Sequence, residues 1–391
     1  MSLLLIPPYA MLAGSGLAAF GGGAGDVVAP VLTSPFGLPL GDTSAFQGVT
    51  TNEATGTLYF VLTTSATPPS AAQVKAGQDH TGAAAAYAFG QAVSSTGIKS
   101  NTATGLTSNT AYYGYLMHED AAANQSSVAA SGILTTLTTG TSDTDFDNLI
   151  AAASVAPTNL RKGYVARFIQ ALYAGSLWGK IDAMWVLAAH DEQFGRLNWK
   201  DPASFTLTAV NSPTFTTDRG FNGNGSTSYL ATGWDWGTNG SAYALDDCHI
   251  SIYQRTSGST NGLQLGNGTG GGPRSGVSGR AVNTTAAGRA NTGSQLGRVG
   301  GLTVPNQMIA RRSDSANHSV LRNGASNNSG AATSTTSGST GDFNFGVGNL
   351  TTDFSNAQIA GGSVGGYFDD TEALAFYNAW RDFMVALGAD T

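Results

Sequence analysis

The chain has 391 residues, with 25 acidic side chains against 18 Lys and Arg, for a formal net charge of −7. Charged residues make up 11% of it, against roughly 25% in ordinary soluble domains, and 53 glycines accompany a hydrophobic share of 41%. The length suggests two to three domains, the hydrophobic share excludes disorder, and the acidic balance with scattered Arg excludes a nucleic-acid surface.

Cys248 is the one cysteine, which excludes an internal disulfide framework and a Cys-based zinc site; it is predicted to be a buried structural thiol. No Lys or Arg precedes Lys75, and no Lys follows Lys200. The opening run "MSLLLIPPYAMLAGSGLAAF" has the apolar look of a signal peptide but no positively charged start. Pro7 and Pro8 interrupt it, and it falls short of the ~20 residues that span a bilayer. Residues 1–27 are therefore read as an apolar arm that docks on a partner. The connector "GGGAGDVVAP" (21–30) leads into alternating β-type runs at 56–65, 110–120 and 130–139, separated by turn clusters, the pattern of a β-sandwich. Between them "PPSAAQVKAGQ" (68–78) predicts a short helical turn.

The segment "GLTSNTAYYGYLMHEDAAANQS" (105–126) resembles the fibronectin type III pattern, with Leu106, Thr110 and Tyr112 at the matching places. The resemblance makes Tyr112 a tyrosine-corner residue whose hydroxyl ties the preceding turn to the strand. It covers 28–138 and extends to bacteriophage virion proteins that carry segments similar to "TSATPPSAAQVKAGQD".

From Thr144 to Trp199 the apolar period changes to three and four. Leu160, Tyr164, Phe168, Leu172 and Leu177 form one predicted helical stripe, and Ile181, Trp185 and Ala189 a second. Asp143 or Thr144 is the expected cap of the first helix. The amphipathic faces offer an apolar surface for self-association. Beyond Asp201 short β runs return, and "DDTEALAFYNAWRDFMVALG" (369–388) predicts a closing helix capped by Thr371 and Gly388. With "GFNGNGSTSYLATG" (220–233) and the "VLRNG" turn (320–324), this region resembles the laminin-G-like, concanavalin-type jelly rolls of phage fibre proteins.

Jelly-roll glucanases place Glu-x-Asp-x-Glu on one strand, whereas this chain has four glutamates, Glu53, Glu119, Glu192 and Glu372, none so arranged. "DTDFDN" (143–148) begins like a calcium loop, but Asn148 and Ser154 stand where Gly and Glu belong, so capping aspartates are expected. The resemblance to laminin-G-like sandwiches admits a calcium ion at Asp246-Asp247 or Asp369-Asp370, where the plainer reading is a turn or a helix start. The five histidines are scattered, no Gly-x-Ser-x-Gly elbow occurs, and "GNGTGGGPRSG" (266–276) lacks a phosphate-binding Lys-Ser/Thr.

What remains is lectin chemistry, in which aromatic rings stack on apolar sugar faces and Asn, Asp and backbone groups take the hydroxyls. The candidates cluster around "GWDWGTNG" (233–240): Tyr229, Trp234, Asp235, Trp236, Asn239 and Tyr243, with Arg274 and Arg280 near the glycine-rich loop. Trp234 is expected to end a strand and pack inward, and Trp236, further into the turn, to be the exposed ring. Trp178, Trp185, Trp199 and Trp380 are expected in the core.

The resulting expectation is a mainly β protein: arm 1–27, fibronectin III-like sandwich 28–140, helical neck 141–199, and concanavalin A-like (laminin-G-like) jelly roll 200–391 with its closing helix. The resemblance implies a non-enzymatic fibre or spike on the outside of a phage virion, a homotrimer that holds other virion proteins through the arm and binds host polysaccharide. No cofactor, nucleic acid or membrane is expected. The alternatives are a structural capsid or tail decoration protein and, behind it, a polysaccharide depolymerase.

Overall fold

The computed structural model describes residues 26–258, 263–267, 274–278, 286–293, 296–299, 303–335, 341–347 and 354–390. The arm up to residue 25 lies outside the described residues. The protein is mainly β and built from several antiparallel sheets.

The first sandwich begins with β1 (Leu32–Pro39), β2 (Ala45–Thr51), β3 (Thr57–Thr63) and helix α1 (Ala71–Lys75). It continues with β4 (Tyr87–Ala92), β5 (Gly97–Ala103), β6 (Ala111–Glu119) and β7 (Ala129–Thr135). One sheet runs β1-β2-β5 and the other β4-β3-β6-β7. The alternation of β2 fixes its inner face: Ala45 and Val49 enter the core, with the buried Gln47 between them dividing it into two clusters. The predicted helical turn is α1. Ser70 caps it in a capping box with Gln73, and Val74 seals it onto Tyr115 and Met117 outside the four-stranded sheet. Tyr112 forms the bond expected of it: its hydroxyl accepts from the Thr107 amide at 2.9 Å, five residues upstream.

Helices α2 (Ser142–Ala151) and α3 (Asn159–Ala174) follow. Thr141, not Asp143 or Thr144, precedes the first turn of α2, and both of those residues lie within the helix. The second predicted helical stripe is a strand. Ile181, Trp185 and their neighbours form β8 (Ile181–Val186), antiparallel to a strand near the end of the chain. Met184 and Val186 face a helical layer while Ala183 and Trp185 face a second sheet. A strand covered on both sides is apolar at nearly every position, here all but Asp182, so spacing alone does not separate it from a buried helix. The short helix α4 (Glu192–Arg196) is capped by Asp191.

The second sandwich then assembles from short strands. These are β9 (Thr208–Val210), β10 (Thr214–Thr216), β11 (Gly220–Asn222) and β12 (Tyr229–Ala231), then helix α5 (Trp236–Asn239). Next come β13 (Cys248–Gln254), β14 (Leu265–Gly266), β15 (Arg274–Ser278), β16 (Ala286–Thr292) and β17 (Leu296–Val299). The last strands are β18 (Asn306–Arg312), β19 (Asn317–Arg322), β20 (Ala325–Ala331), β21 (Asn344–Phe345) and β22 (Gln358–Gly365), before helix α6 (Asp370–Ala386). One sheet runs β10-β11-β22-β13-β18-β19-β20, with β8 also on β22, and the other β17-β16-β15-β14-β21-β12-β9. The "VLRNG" turn is the β19–β20 hairpin, with Asn323 and Gly324 both at positive φ, the geometry a two-residue turn demands. Asp369, not Thr371, caps α6 in a capping box with Glu372, and Gly388 follows its end at φ 62°.

Between these sheets lie Trp185, Trp234, Ile250, Met308 and Phe345. On the outer face of the β22 sheet, α2, α3 and α6 bury Phe146, Phe168, Leu172, Trp380 and Phe383. The apolar faces of α2 and α3, expected to serve self-association, are covered within the chain. Helix α3 also touches the first sandwich. A Cβ on Gly163 would come 2.6 Å from the Leu38 Cβ, and Gln170 Nε2 donates to the Thr135 and Thr136 carbonyls at 3.0 and 3.1 Å. Trp178, Trp185, Trp199 and Trp380 are all core residues.

Candidate functional site

The predicted site residues other than Tyr229 lie in and around α5 of the second sandwich. Asp235 caps this single turn, its Oδ1 accepting from the Gly237 amide at 3.0 Å, while Asn239 Oδ1 accepts from the Asp235 amide at 3.1 Å. Gly240 closes the turn where a Cβ would come 2.6 Å from the Trp236 carbonyl oxygen and 2.8 Å from that of Tyr243. The loop beyond is pinned by a residue that sequence reasoning did not select. Asp182 of β8 accepts from the amides of Ser241, Ala242 and Tyr243 at 3.1, 2.8 and 2.8 Å. Its only sequence signal is an acid within an apolar run, and its partners lie some sixty residues away.

Trp234 and Tyr243 do not reach solvent: they are 1% and 3% exposed. This corrects their assignment as sugar contacts. Trp234 packs edge-on to Tyr243 at 5.8 Å and against Phe343 at 5.5 Å, filling the space between the sheets. The Tyr243 hydroxyl lies 2.9 Å from both Ser275 Oγ and Asn291 Oδ1, and burial pushes its pKa well up. Cys248, beside this network, is the expected buried thiol, its pKa pushed up to about 12 by burial.

Trp236 is different. It is half-buried, its ring 5.7 Å from that of Tyr243 at 35°, so a fixed aromatic base supports it from the core side. Tyr229 is not part of this cluster. It lies on the face of β12 opposite the buried Leu230, with its ring 6.4 Å from Phe354. The structure thus brings Trp234, Trp236 and Tyr243 together and gives Asp235 and Asn239 to the turn backbone. Arg280 lies outside the described residues, as does most of the glycine-rich loop.

The other acidic motifs serve the fold. "DTDFDN" is the first turn and a half of α2, where Asp143 accepts from the Asp42 amide at 2.9 Å and Asp145 takes the Tyr173 hydroxyl. Burial, with Asp147 and Asp42 nearby, raises the Asp143 pKa. Asp247 accepts from the Tyr367 amide at 2.6 Å, and Asp370 pairs with Arg311. The carboxylates of Asp26, Glu53 and Asp120 converge at one end of the first sandwich, where Asp120 accepts from the Ala122 and Asn124 amides at 2.8 Å. Of the glutamates, Glu119 is held by Lys75 at 2.7 Å and Glu372 by Lys180 at 2.6 Å. No helix among the described residues is long and apolar enough to cross a membrane.

No protein-family model and no curated protein matches the chain. Among solved structures it is similar to a Trypanosoma rangeli sialidase in complex with a difluoro-nononic acid, at 11% identity and a TM-score of 0.41. That match covers 73% of this chain and 48% of the sialidase, so the chain spans about half the length of that protein. The botulinum neurotoxin type G receptor-binding domain matches at 13% identity and a TM-score of 0.35, over 51% of each chain. Domain 4 of a Geobacillus stearothermophilus extracellular arabinanase, in complex with arabinotriose, matches at 12% identity and a TM-score of 0.33, covering 50% of this chain and 98% of that one.

Proposed function

We propose that this chain is a fibre or spike protein on the outside of a phage or phage-like particle, held through its arm and binding host-surface glycan with its second sandwich. The glycan part rests on one observation: Trp236 is a half-buried ring on a turn whose polar groups are tied to backbone, braced on its inner side by Tyr243. A ring fixed in this way stacks on a sugar without the entropy loss of ordering a mobile side chain.

The phage part rests on the sequence. Residues 105–126 and the "TSATPPSAAQVKAGQD" segment carry it, with the strand order β1-β2-β5 against β4-β3-β6-β7 and the Tyr112 bond supporting a fibronectin type III-like reading of 28–140. Two facing antiparallel sheets and the closing helix α6 support a concanavalin A-like, laminin-G-like reading of the second unit. The helical segment 141–199 belongs to that unit through its shared core, and a homotrimer is the assembly the resemblance implies. The chain acts by binding, without catalysis.

An array of host-derived polysaccharides and lipopolysaccharides, probed with the intact chain, tests this. Binding to at least one glycan class is expected. Silence across the array contradicts the reading and favours structural decoration, while release of reducing ends from a bound polymer points to a depolymerase.

A further inference from the structure

A cleft of about 390 Å³ opens where the first sandwich meets the helical layer, away from the Trp236 turn. Its walls are single helix faces. Tyr164, Arg167, Phe168, Ala171 and Ala174 recur at three- and four-residue spacing along α3. Ala379, Asp382, Phe383 and Ala386 do the same along α6. Four of these wall positions are alanine, too short to close the gap, so the rings of Phe168 and Phe383, 5.1 Å apart, form an apolar floor. Asn109 and Thr135 of the first sandwich close one end.

The rim carries polar groups that the fold does not use. Arg167 and Asp382 are exposed, on opposite walls, and neither makes an ion pair or side-chain hydrogen bond among the described residues. The half-buried Tyr164 hydroxyl likewise has no partner among them. Gln170 donates its Nε2 to the first sandwich and keeps Oε1 as an acceptor.

We infer that this cleft binds an acidic sugar, a pyranose bearing a carboxylate. The apolar face of the ring would rest on the floor, as sugar faces do on aromatic and aliphatic side chains. The Arg167 guanidinium offers the carboxylate a two-pronged charged contact. Asp382 and Gln170 Oε1 accept from hydroxyls, and Tyr164 and Asn109 donate to them. A purely apolar ligand would strip water from Arg167 and Asp382 without replacing it, and a neutral sugar would leave Arg167 unmatched. The volume falls within the range of small-ligand sites. This inference is independent of the Trp236 reading, since the two sites share no residue.

Saturation-transfer NMR on the intact chain, with D-glucuronate as probe and D-glucose as its neutral twin, tests it. Glucuronate should bind saturably and about tenfold more tightly than glucose, the scale of one charged hydrogen-bonded contact. Arg167→Gln should erase that preference, and Ala171→Phe, which fills the cleft from an exposed position, should abolish binding of both sugars. Absence of transfer to glucuronate, equal affinity for the two sugars in the unaltered chain, or undiminished binding by folded Ala171→Phe would overturn the inference. Trp236→Ala should leave glucuronate binding unchanged, so failure here and failure of the Trp236 reading are read separately.

Discussion

His249 on β13 is fully buried, stacked 4.0 Å from the Phe368 ring, with Nδ1 2.6 Å from the Gly366 carbonyl and Nε2 2.8 Å from Ser363 Oγ. Burial, with Lys180 adding a smaller push, holds its pKa down at about 4. His318, 3% exposed on β19, is lowered to about 4 as well, by burial and then by Arg312 and Arg289. An unfolded chain takes up protons on both groups near pH 6.5, while the native chain does so only near 4. Their stabilising effect is therefore complete above pH 6.5 and is lost as the pH falls toward 4, for His249 on the order of 3 kcal/mol. The raised pKa values of Asp143 and Asp147 act with opposite sign and soften the fall. The melting temperature should drop between pH 7 and pH 4.5, and His249→Gln should shrink that drop. An equal drop in His249→Gln would remove His249 from the account. The same dependence on distant partners explains what the sequence revealed of the Trp236 turn. Trp236 and the inward Trp234 could be told apart by position in the turn. The burial of Tyr243 could not, because Ser275 and Asn291, which hold its hydroxyl, lie 32 and 48 residues away.

At the scale of elements, β22 is where small residues decide the architecture. It pairs with β13 on one side and with β8 and β11 on the other, under α6 and over the second sheet. A Cβ on Gly361 would lie 2.4 Å from the Trp185 carbonyl oxygen and 2.4 Å from the Trp380 ring, and one on Gly362 2.3 Å from the Ser251 carbonyl oxygen. "IAGGSVGG" is thus the imprint of a strand crowded on both faces. Gly361→Ala should lower stability by about 2 kcal/mol or more, since backbone oxygens cannot move aside as side chains do. Chemical denaturation reads this directly, and a neutral substitution would mean that α6 does not pack there. In the first sandwich β1, β2, β4 and β5 were not singled out, while the β-type runs of β3, β6 and β7 were legible as strands. β8 was not, because both of its faces are dry and its apolar run fits either period. Likewise α2 and α3 were legible as helices, but not as a layer on the β22 sheet, since an apolar stripe does not name its partner.

At the scale of the whole molecule, two sandwiches meet through α3, which presents Gly163 and Gln170 to the first and Phe168 and Leu172 to the core of the second. The arrangement places the Trp236 turn on the second sandwich, beside the loop that Asp182 of β8 pins. It also leaves a separate cleft at the junction. The central claim is that the Trp236 face meets host glycan. Surface-plasmon titration of the intact chain and its Trp236→Ala variant over the best ligand from the glycan array tests it most directly. Binding about tenfold weaker or worse is expected in the variant, consistent with losing a central aromatic contact, while its melting curve shows the fold intact. Equal affinities would contradict it.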